Sequence, residues 1–479
     1  MATHFPLMIP GVTTNDGLLD VVAPFDCNLI ATTETADANA VERALSTASE
    51  LYHDRDRWLP VPERIGILER TAHIMQQRFN ELAVETAREG GKPLKDSEVE
   101  VARAIDGVKL CVETLRTEAG EEIPMGLNAA SLGRLAFTHH EPIGVVVAVS
   151  AFNHPLNLIV HQVAPAVATG CPVIVKPAED TPLSCFRFVE ILREAGLPEA
   201  WCQALTVHDL EVATKLVTDD RVGFFTFIGS ARVGWMLRSK LAPGTRCALE
   251  HGGAAPIIVA EDADLADAIP LLAKGGFYHA GQVCVSVQRV FAHESVVAEV
   301  TEKLVVEAGK MNVGDPVLPE TDIGPLIRPG EVKRVHEWVT EAVESGAKLL
   351  CGGEKLSETC YAPTVLLNPP DHVRVSTAEV FGPVVCVYSW NEIDDALQRA
   401  NALPVAFQAA VFAKDIDTIM RVYKRIDASA VMVNDHTAFR VDWMPFAGLK
   451  QSGLGVGGIP HTMHDMQIKK MMVLRSAEI

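Results

Sequence analysis

Closely spaced cysteines are missing from this chain. Its ten cysteines, at positions 27, 111, 171, 185, 202, 247, 284, 351, 360 and 386 of 479, form neither a CxxC nor a C-x4-C pattern. That argues against a metal cluster or a disulfide scaffold and fits reduced thiols in a cytoplasmic protein, so no metal is expected. Basic runs are scarce as well, apart from the short KK at 469 and 470. With 62 acidic and 42 basic side chains the formal net charge is −20, which disfavours nonspecific binding to nucleic acid or anionic lipid. A pocket sets its own local charge, so an anionic substrate is not excluded. The segment MATHFPLMIPGVTT has no basic region ahead of an apolar core, and a secretory signal is not expected. Low-complexity linkers and strong internal repeats are absent too.

Charge is absent from one long stretch, residues 143–175, which contain no Asp, Glu, Lys or Arg. Hydropathy alone marks it as a membrane span. However, Asn153, His154, Pro155, Asn157, His161, Gln162 and Pro165 punctuate it, and burying those groups in lipid is costly. The expectation is a buried strand, a loop, a packed helix and a second strand, with no membrane partner.

What is present is enough for more than one core: 479 residues with 48% hydrophobic side chains predict two or three domains. Apolar residues at helical spacing run from Ala40 to about Glu118, pausing at Gly90, Gly91 and Pro93, and read as scaffold. From VVVAVS onward, nearly continuous apolar strands alternate with amphipathic helices, the pattern of an open, mostly parallel sheet covered on both faces. After Glu250 the alternation repeats, so the fold class is α/β with a second α/β domain over roughly 253–452.

Polar residues gather at the ends of the expected strands, where ligands bind in open sheets. FTFIGSARVG sets Gly229 and Ser230 between a strand and a helix, either as a phosphate approach or as an ordinary turn. Lys176 and Glu179 follow a buried strand and suit ribose hydroxyls, or simply pair with each other. Glu250, before Gly252 and Gly253, reads as a general base or as a surface acid before a turn. Cys284, in YHAGQVCVSV, is a lone thiol that is either buried filler or a nucleophile.

Taken together, ALEHGG, GQVC, EVFGPV and MPFAGLKQSGLG occur in the order found in the aldehyde dehydrogenase superfamily, which the chain resembles over nearly its whole length. The resemblance implies a Rossmann-like cofactor domain (1–123 and 143–252), an α/β catalytic domain (253–452) and a small β oligomerisation element (124–142 and 464–479). It also implies a homodimer or homotetramer. By the same resemblance Cys284 is the nucleophile, Glu250 the general base, and the Asn153 side chain joins the Cys284 backbone N–H as an oxyanion hole. Lys176 and Glu179 match the adenosine ribose pair, Gly229 and Ser230 the pyrophosphate turn, and Glu379 and Phe381 the nicotinamide ribose and ring.

The implied reaction is oxidation of an aldehyde to its acid through a cysteine thiohemiacetal and thioester. A coenzyme A-acylating enzyme and a noncatalytic structural relative are the alternatives. Two positions depart from the family pattern: His251 stands where an apolar residue is usual, which bears on the packing or charge of Glu250, and Ala447 replaces a glycine. His154, Leu158, His161, Val283 and Val285 resemble tunnel positions, and Arg440 resembles an arginine that receives an anion. Val283 stands where some such relatives carry a second arginine. A small polar or anionic aldehyde is therefore expected. The Glu179 carboxylate would repel a 2′-phosphate, which favours NAD, with NADP also accommodated.

Overall fold

Three strands not expected from the sequence open the chain: β1 (Thr3–Phe5), β2 (Gly17–Val22) and β3 (Leu29–Thr35), ordered β1-β3-β2. The computed structural model describes residues 3–12 and 15–479. The helical region follows as α1 (Ala38–His53), α2 (Val61–Gln77), α3 (Phe79–Gly90) and α4 (Leu94–Thr117). Asp37 caps α1 by accepting from the Ala40 N–H at 2.7 Å. Ala40, Val41, Ala44, Leu45, Ala48 and Leu51 then form its buried stripe, as their spacing predicts. Gly91 ends α3 with φ +72°, a left-handed conformation that suits a residue without Cβ.

Next come β4 (Glu122–Ile123) and β5 (Arg134–Pro142), followed by the first alternating run: β6 (Val145–Val149), α5 (Asn157–Thr169), β7 (Val173–Lys176), α6 (Leu183–Glu194), β8 (Cys202–Ala204), α7 (Leu210–Thr218), β9 (Val222–Ile228), α8 (Ala231–Arg238) and β10 (Arg246–Glu250). The second run has β11 (Ala255–Val259), α9 (Leu265–Phe277), β12 (Val287–His293), α10 (Val297–Gly309), α11 (Pro329–Glu344), β13 (Lys348–Cys351), β14 (Thr364–Leu367), α12 (Arg374–Thr377), β15 (Val384–Trp390), α13 (Ile393–Asn401), β16 (Val405–Ala406), β17 (Gln408–Phe412), α14 (Ile416–Arg425) and β18 (Ala430–Val433). The chain closes with β19 (Leu449–Lys450), β20 (Gly453–Leu454), α15 (Ile459–Asp465) and β21 (Gln467–Arg475).

The first large sheet is ordered β20-β10-β9-β6-β7-β8, parallel except for β20, and the second is ordered β13-β14-β15-β12-β11-β17-β18, parallel except for β13. β16 pairs with β19, and β21-β5-β4 make a small antiparallel sheet that begins at Glu122, two residues ahead of the expected segment. The uncharged stretch is the expected strand, loop, helix and strand: the first four residues of β6 and every residue of α5 are buried. Burying each such Val, Leu or Ile contributes about 1.5–3 kcal/mol, enough to hold this run at the molecular centre without lipid. No helix among the described residues is long and apolar enough to cross a membrane.

Parallel strands bring their C-terminal ends to one edge. In the first sheet β6 has β9 on one side and β7 on the other, so the winding reverses there and leaves a crevice between the loops after β6 and β9. The loop after β10 opens on the same edge, and the segment entering β12 meets it from the second sheet.

Candidate active site

β6 delivers the segment Ser150–Asn153 to this crevice. Asn153 is 5% exposed, and its side-chain amide donates to the Gln282 carbonyl at 2.9 Å. A carbonyl only accepts, which fixes the amide nitrogen toward Gln282 and leaves its second hydrogen available. Gln282 is itself held, donating to the Pro325 carbonyl at 3.2 Å and accepting from the Ile327 N–H at 3.0 Å. Two residues on, Cys284 sits among Val283, Val285, Phe407 and Phe446. His279, Ala280 and Gly281 precede it in a left-handed run, with φ of +48°, +54° and +70°. Only glycine fits at 281, because a Cβ there would fall 2.1 Å from the Gly382 carbonyl oxygen. Burial pushes the Cys284 thiol well above its ordinary value, and the neighbouring Glu250 carboxylate adds to this while Arg440 opposes it.

Glu250, the last residue of β10, is the acid that faces this thiol. Burial raises its carboxyl and Arg440 opposes the rise, from 3.8 Å away. The Arg440 guanidinium lies over Phe446, with its central carbon 3.6 Å from the ring centroid, and its Nε is buried without a hydrogen-bond partner. It lies 3.9 Å from Asp442, whose carboxylate is already taken by the Arg103 fork at 2.6 and 3.0 Å and by His161 at 2.7 Å.

Cys284, Glu250, Asn153, Arg440, His154, Leu158, Val283 and Val285 line one cavity of about 690 Å³, together with Gly229, Ser230, Glu379 and Phe381. Three expected residues do not line it. Lys176 and Glu179 pair with each other at 3.7 Å beyond the end of β7, while their neighbours Ala178 and Asp180 form the wall. His161 is also off the wall: it lies one helical turn beyond Asn157 and is spent on Asp442. Arg103 on α4 does line the cavity, which corrects the reading of the first helices as scaffold alone. A single arginine on an amphipathic helix looks like a solvent-facing residue, so the sequence carried no signal for it.

The remaining wall suits a dinucleotide. A Cβ at Gly229 would fall 2.8 Å from the Phe227 ring, so the turn before α8 stays bare of side chains. The Ser230 side chain makes no capping bond to α8, and the residue lines the cavity. Glu379 rests against the backbone of Gly252, where a Cβ would fall 1.8 Å from Oε1, and that buried oxygen has no partner. Burial pushes the Glu379 carboxyl up to about 8, and its unpartnered buried oxygen gains from a ligand hydroxyl. Phe381, at φ +47°, meets Phe152 edge-on at 5.7 Å across the cavity wall.

His251 does not act on Glu250 by facing it. Its Nδ1 donates to the Gly229 carbonyl at 2.8 Å, and its ring packs between Phe227 and Trp235, so the departure from the family pattern falls on the turn between β9 and α8.

The aldehyde dehydrogenase family model matches residues 12–472. A 3-sulfolactaldehyde dehydrogenase of Priestia aryabhattai is 37% identical over 95% of this chain and 94% of its own length. Among solved structures, aldehyde dehydrogenase 21 from Physcomitrella patens in complex with the reaction product succinate is 33% identical, with a TM-score of 0.95 over 100% of this chain and 99% of that one. A glyceraldehyde-3-phosphate dehydrogenase from Methanocaldococcus jannaschii complexed with NADP is also 33% identical, with a TM-score of 0.92 over 97% and 100%. The chain therefore belongs to the aldehyde dehydrogenase family, and it is an NAD(P)-dependent enzyme that oxidises an aldehyde to a carboxylic acid.

Proposed function

We propose that the substrate is a short aldehyde bearing an anionic or hydroxyl group, and that NAD is the preferred acceptor. The observation that carries this reading is Arg440. Its guanidinium is held in the reaction cavity on an aromatic face, with a buried Nε that no protein group satisfies. A desolvated cation with free donors is strongly favourable to an incoming carboxylate or sulfonate and leaves a long alkyl chain no compensation. The neutral ring of His154, its basicity suppressed by burial, adds a polar group on the same wall. The relatives named for sulfolactaldehyde and bound to succinate support an anionic substrate.

The residues divide the chemistry as follows. The Cys284 thiol gives its proton through Glu250 to solvent, its thiolate adds to the aldehyde carbon, and the carbonyl pair moves onto oxygen, where the Cys284 N–H and the second Asn153 amide hydrogen receive it. Bound nicotinamide supplies the hydride acceptor. Cys284 then holds the acyl group as a thioester. Glu250 takes a proton from water, hydroxide adds to the thioester carbon, and the thiolate leaves with the carboxylic acid released. Lys176 and Glu179 would hold the adenosine ribose at the cavity rim, Gly229 and Ser230 the pyrophosphate, and Glu379 and Phe381 the nicotinamide riboside. The partition into cofactor, catalytic and oligomerisation regions at 1–123 with 143–252, 253–452, and 124–142 with 464–479 belongs to the same reading. So does a cytoplasmic setting, supported by ten unpaired cysteines.

An NAD(P)H-detected screen, with and without coenzyme A, tests this. Semialdehydes, 3-sulfolactaldehyde, lactaldehyde and glycolaldehyde are expected to outpace long alkyl and aromatic aldehydes. Arg440→Leu is expected to cost the anionic substrates about ten- to a hundredfold more in kcat/KM than it costs propanal, the worth of a charged hydrogen bond, because its effect on the Cys284 thiol is common to both. Faster turnover of hexanal or benzaldehyde overturns the substrate reading, and an NADP advantage overturns the cofactor preference. Acceleration by coenzyme A would move the product to an acyl thioester.

A further inference from the structure

Two ionisable side chains that no step of the reaction uses are fully buried beside the site. Lys92, in the turn between α3 and α4, and Glu100, on α4, pair through Nζ and Oε2 with both side chains at 0% exposure. A buried ion pair gains little over a well-packed apolar pair, so its stability alone does not account for it. The other carboxylate oxygen of Glu100 is engaged elsewhere. Oε1 accepts from the backbone N–H of Leu156 at 2.9 Å and of Asn157 at 3.0 Å.

Those two N–H groups open α5, which has no side-chain cap of its own and no acid in its first turn. Glu100 thus caps α5 from another helix, satisfying donors that would otherwise be stranded and placing a negative charge at the positive end of the dipole. The capped end begins three residues after Asn153. The same α3–α4 turn also supports the other half of the oxyanion site. Gly90 packs on Pro155, with an ideal Cβ 3.6 Å from its Cγ, and Gly91 presses on Pro325, whose carbonyl receives Gln282.

We propose that Glu100, neutralised by Lys92, is a positioning residue that fixes the loop carrying Asn153, so that the free hydrogen of its amide meets the developing oxyanion. The proposal rests on the reading of Asn153 as the oxyanion donor.

The test compares the Glu100→Leu/Lys92→Met pair, which removes both charges and the tether, with Glu100→Gln/Lys92→Met, which keeps an accepting oxygen. Each is made with Asn153 intact and with Asn153→Ala, and aldehyde kcat/KM and cofactor KM are measured on the full-length enzyme. Asn153→Ala alone is expected to cost about 10²- to 10³-fold. The leucine pair is expected to lose about ten- to a hundredfold with cofactor KM unchanged, and the glutamine pair to recover to within about threefold of the parent. In the Asn153→Ala background the loss from the leucine pair should vanish, since coupled residues are not additive. Glu100→Asp keeps the charge but draws the carboxylate back by one methylene; should the leucine pair not fold, the same vanishing loss is required of this variant. An undiminished loss in the Asn153→Ala background, or a loss shared by the glutamine pair, overturns the positioning role while leaving Asn153 as donor. An Asn153→Ala enzyme as fast as the parent overturns both.

Discussion

Cys284 and its two charged neighbours set opposing electrostatics on one sulfur. Glu250 raises the thiol and Arg440 lowers it, on top of the dominant effect of burial. Removing each charge should therefore move thiol ionisation in opposite directions. Glu250→Gln is expected to shift the pH dependence of iodoacetamide inactivation toward lower pH while abolishing steady-state turnover. Arg440→Met is expected to shift it toward higher pH. Parallel shifts, or none, would mean that these groups do not face the sulfur in solution. With Glu250 as the proposed base, the parent enzyme should lose activity as pH falls, because a base must be ionised to act and burial raises this carboxyl. Several of these residues were legible in the sequence because family motifs mark them by local order. Arg103 was not, since its significance lies in Asp442, more than 300 positions away.

At the scale of the element, α8 carries a glycine where His251 packs against it. A Cβ at Gly234 would lie 2.1 Å from His251 Cε1, so α8 must be bare where the imidazole is seated. Gly234→Ala is expected to cost about 1–3 kcal/mol of stability by overpacking, read as a lower denaturation midpoint. It should also raise the cofactor KM, because the displaced ring is the one that holds the Gly229 carbonyl. Adding His251→Ala should return the midpoint toward the parent without restoring the cofactor KM. If the double variant is no more stable than Gly234→Ala, the clash is not the cause. The strands and helices around α8 followed from their periodicity. The short opening strands β1 to β3 did not: β1 and β2 bury one residue each, and β3 alternates but buries Ala31, Thr33 and Thr35, which carry little apolar signal.

For the whole molecule, the small sheet leaves one face apolar and uncovered. Leu135 and Phe137 on β5 stand opposite Leu474 and Met472 on β21, and these four are 38%, 39%, 48% and 52% exposed. Such a continuous apolar face on a sheet edge is what a second copy would cover, in keeping with the proposed homo-oligomer. Met472→Glu/Leu474→Glu is expected to yield a smaller species by light scattering, and an unchanged mass would remove this face from the interface. The sequence by itself determined the α/β alternation and the buried nature of the uncharged stretch, and it singled out Cys284, Glu250 and Asn153 as candidates that the fold brings to one cavity, because each rests on local period or motif order. Tertiary structure alone decided that His161 supports Asp442, that His251 holds the Gly229 carbonyl, and that, from a helix read as scaffold, Arg103 lines the cavity and Glu100 caps α5. Those assignments depend on which side chains converge across the crevice, and distance in space is not encoded in the spacing along the chain.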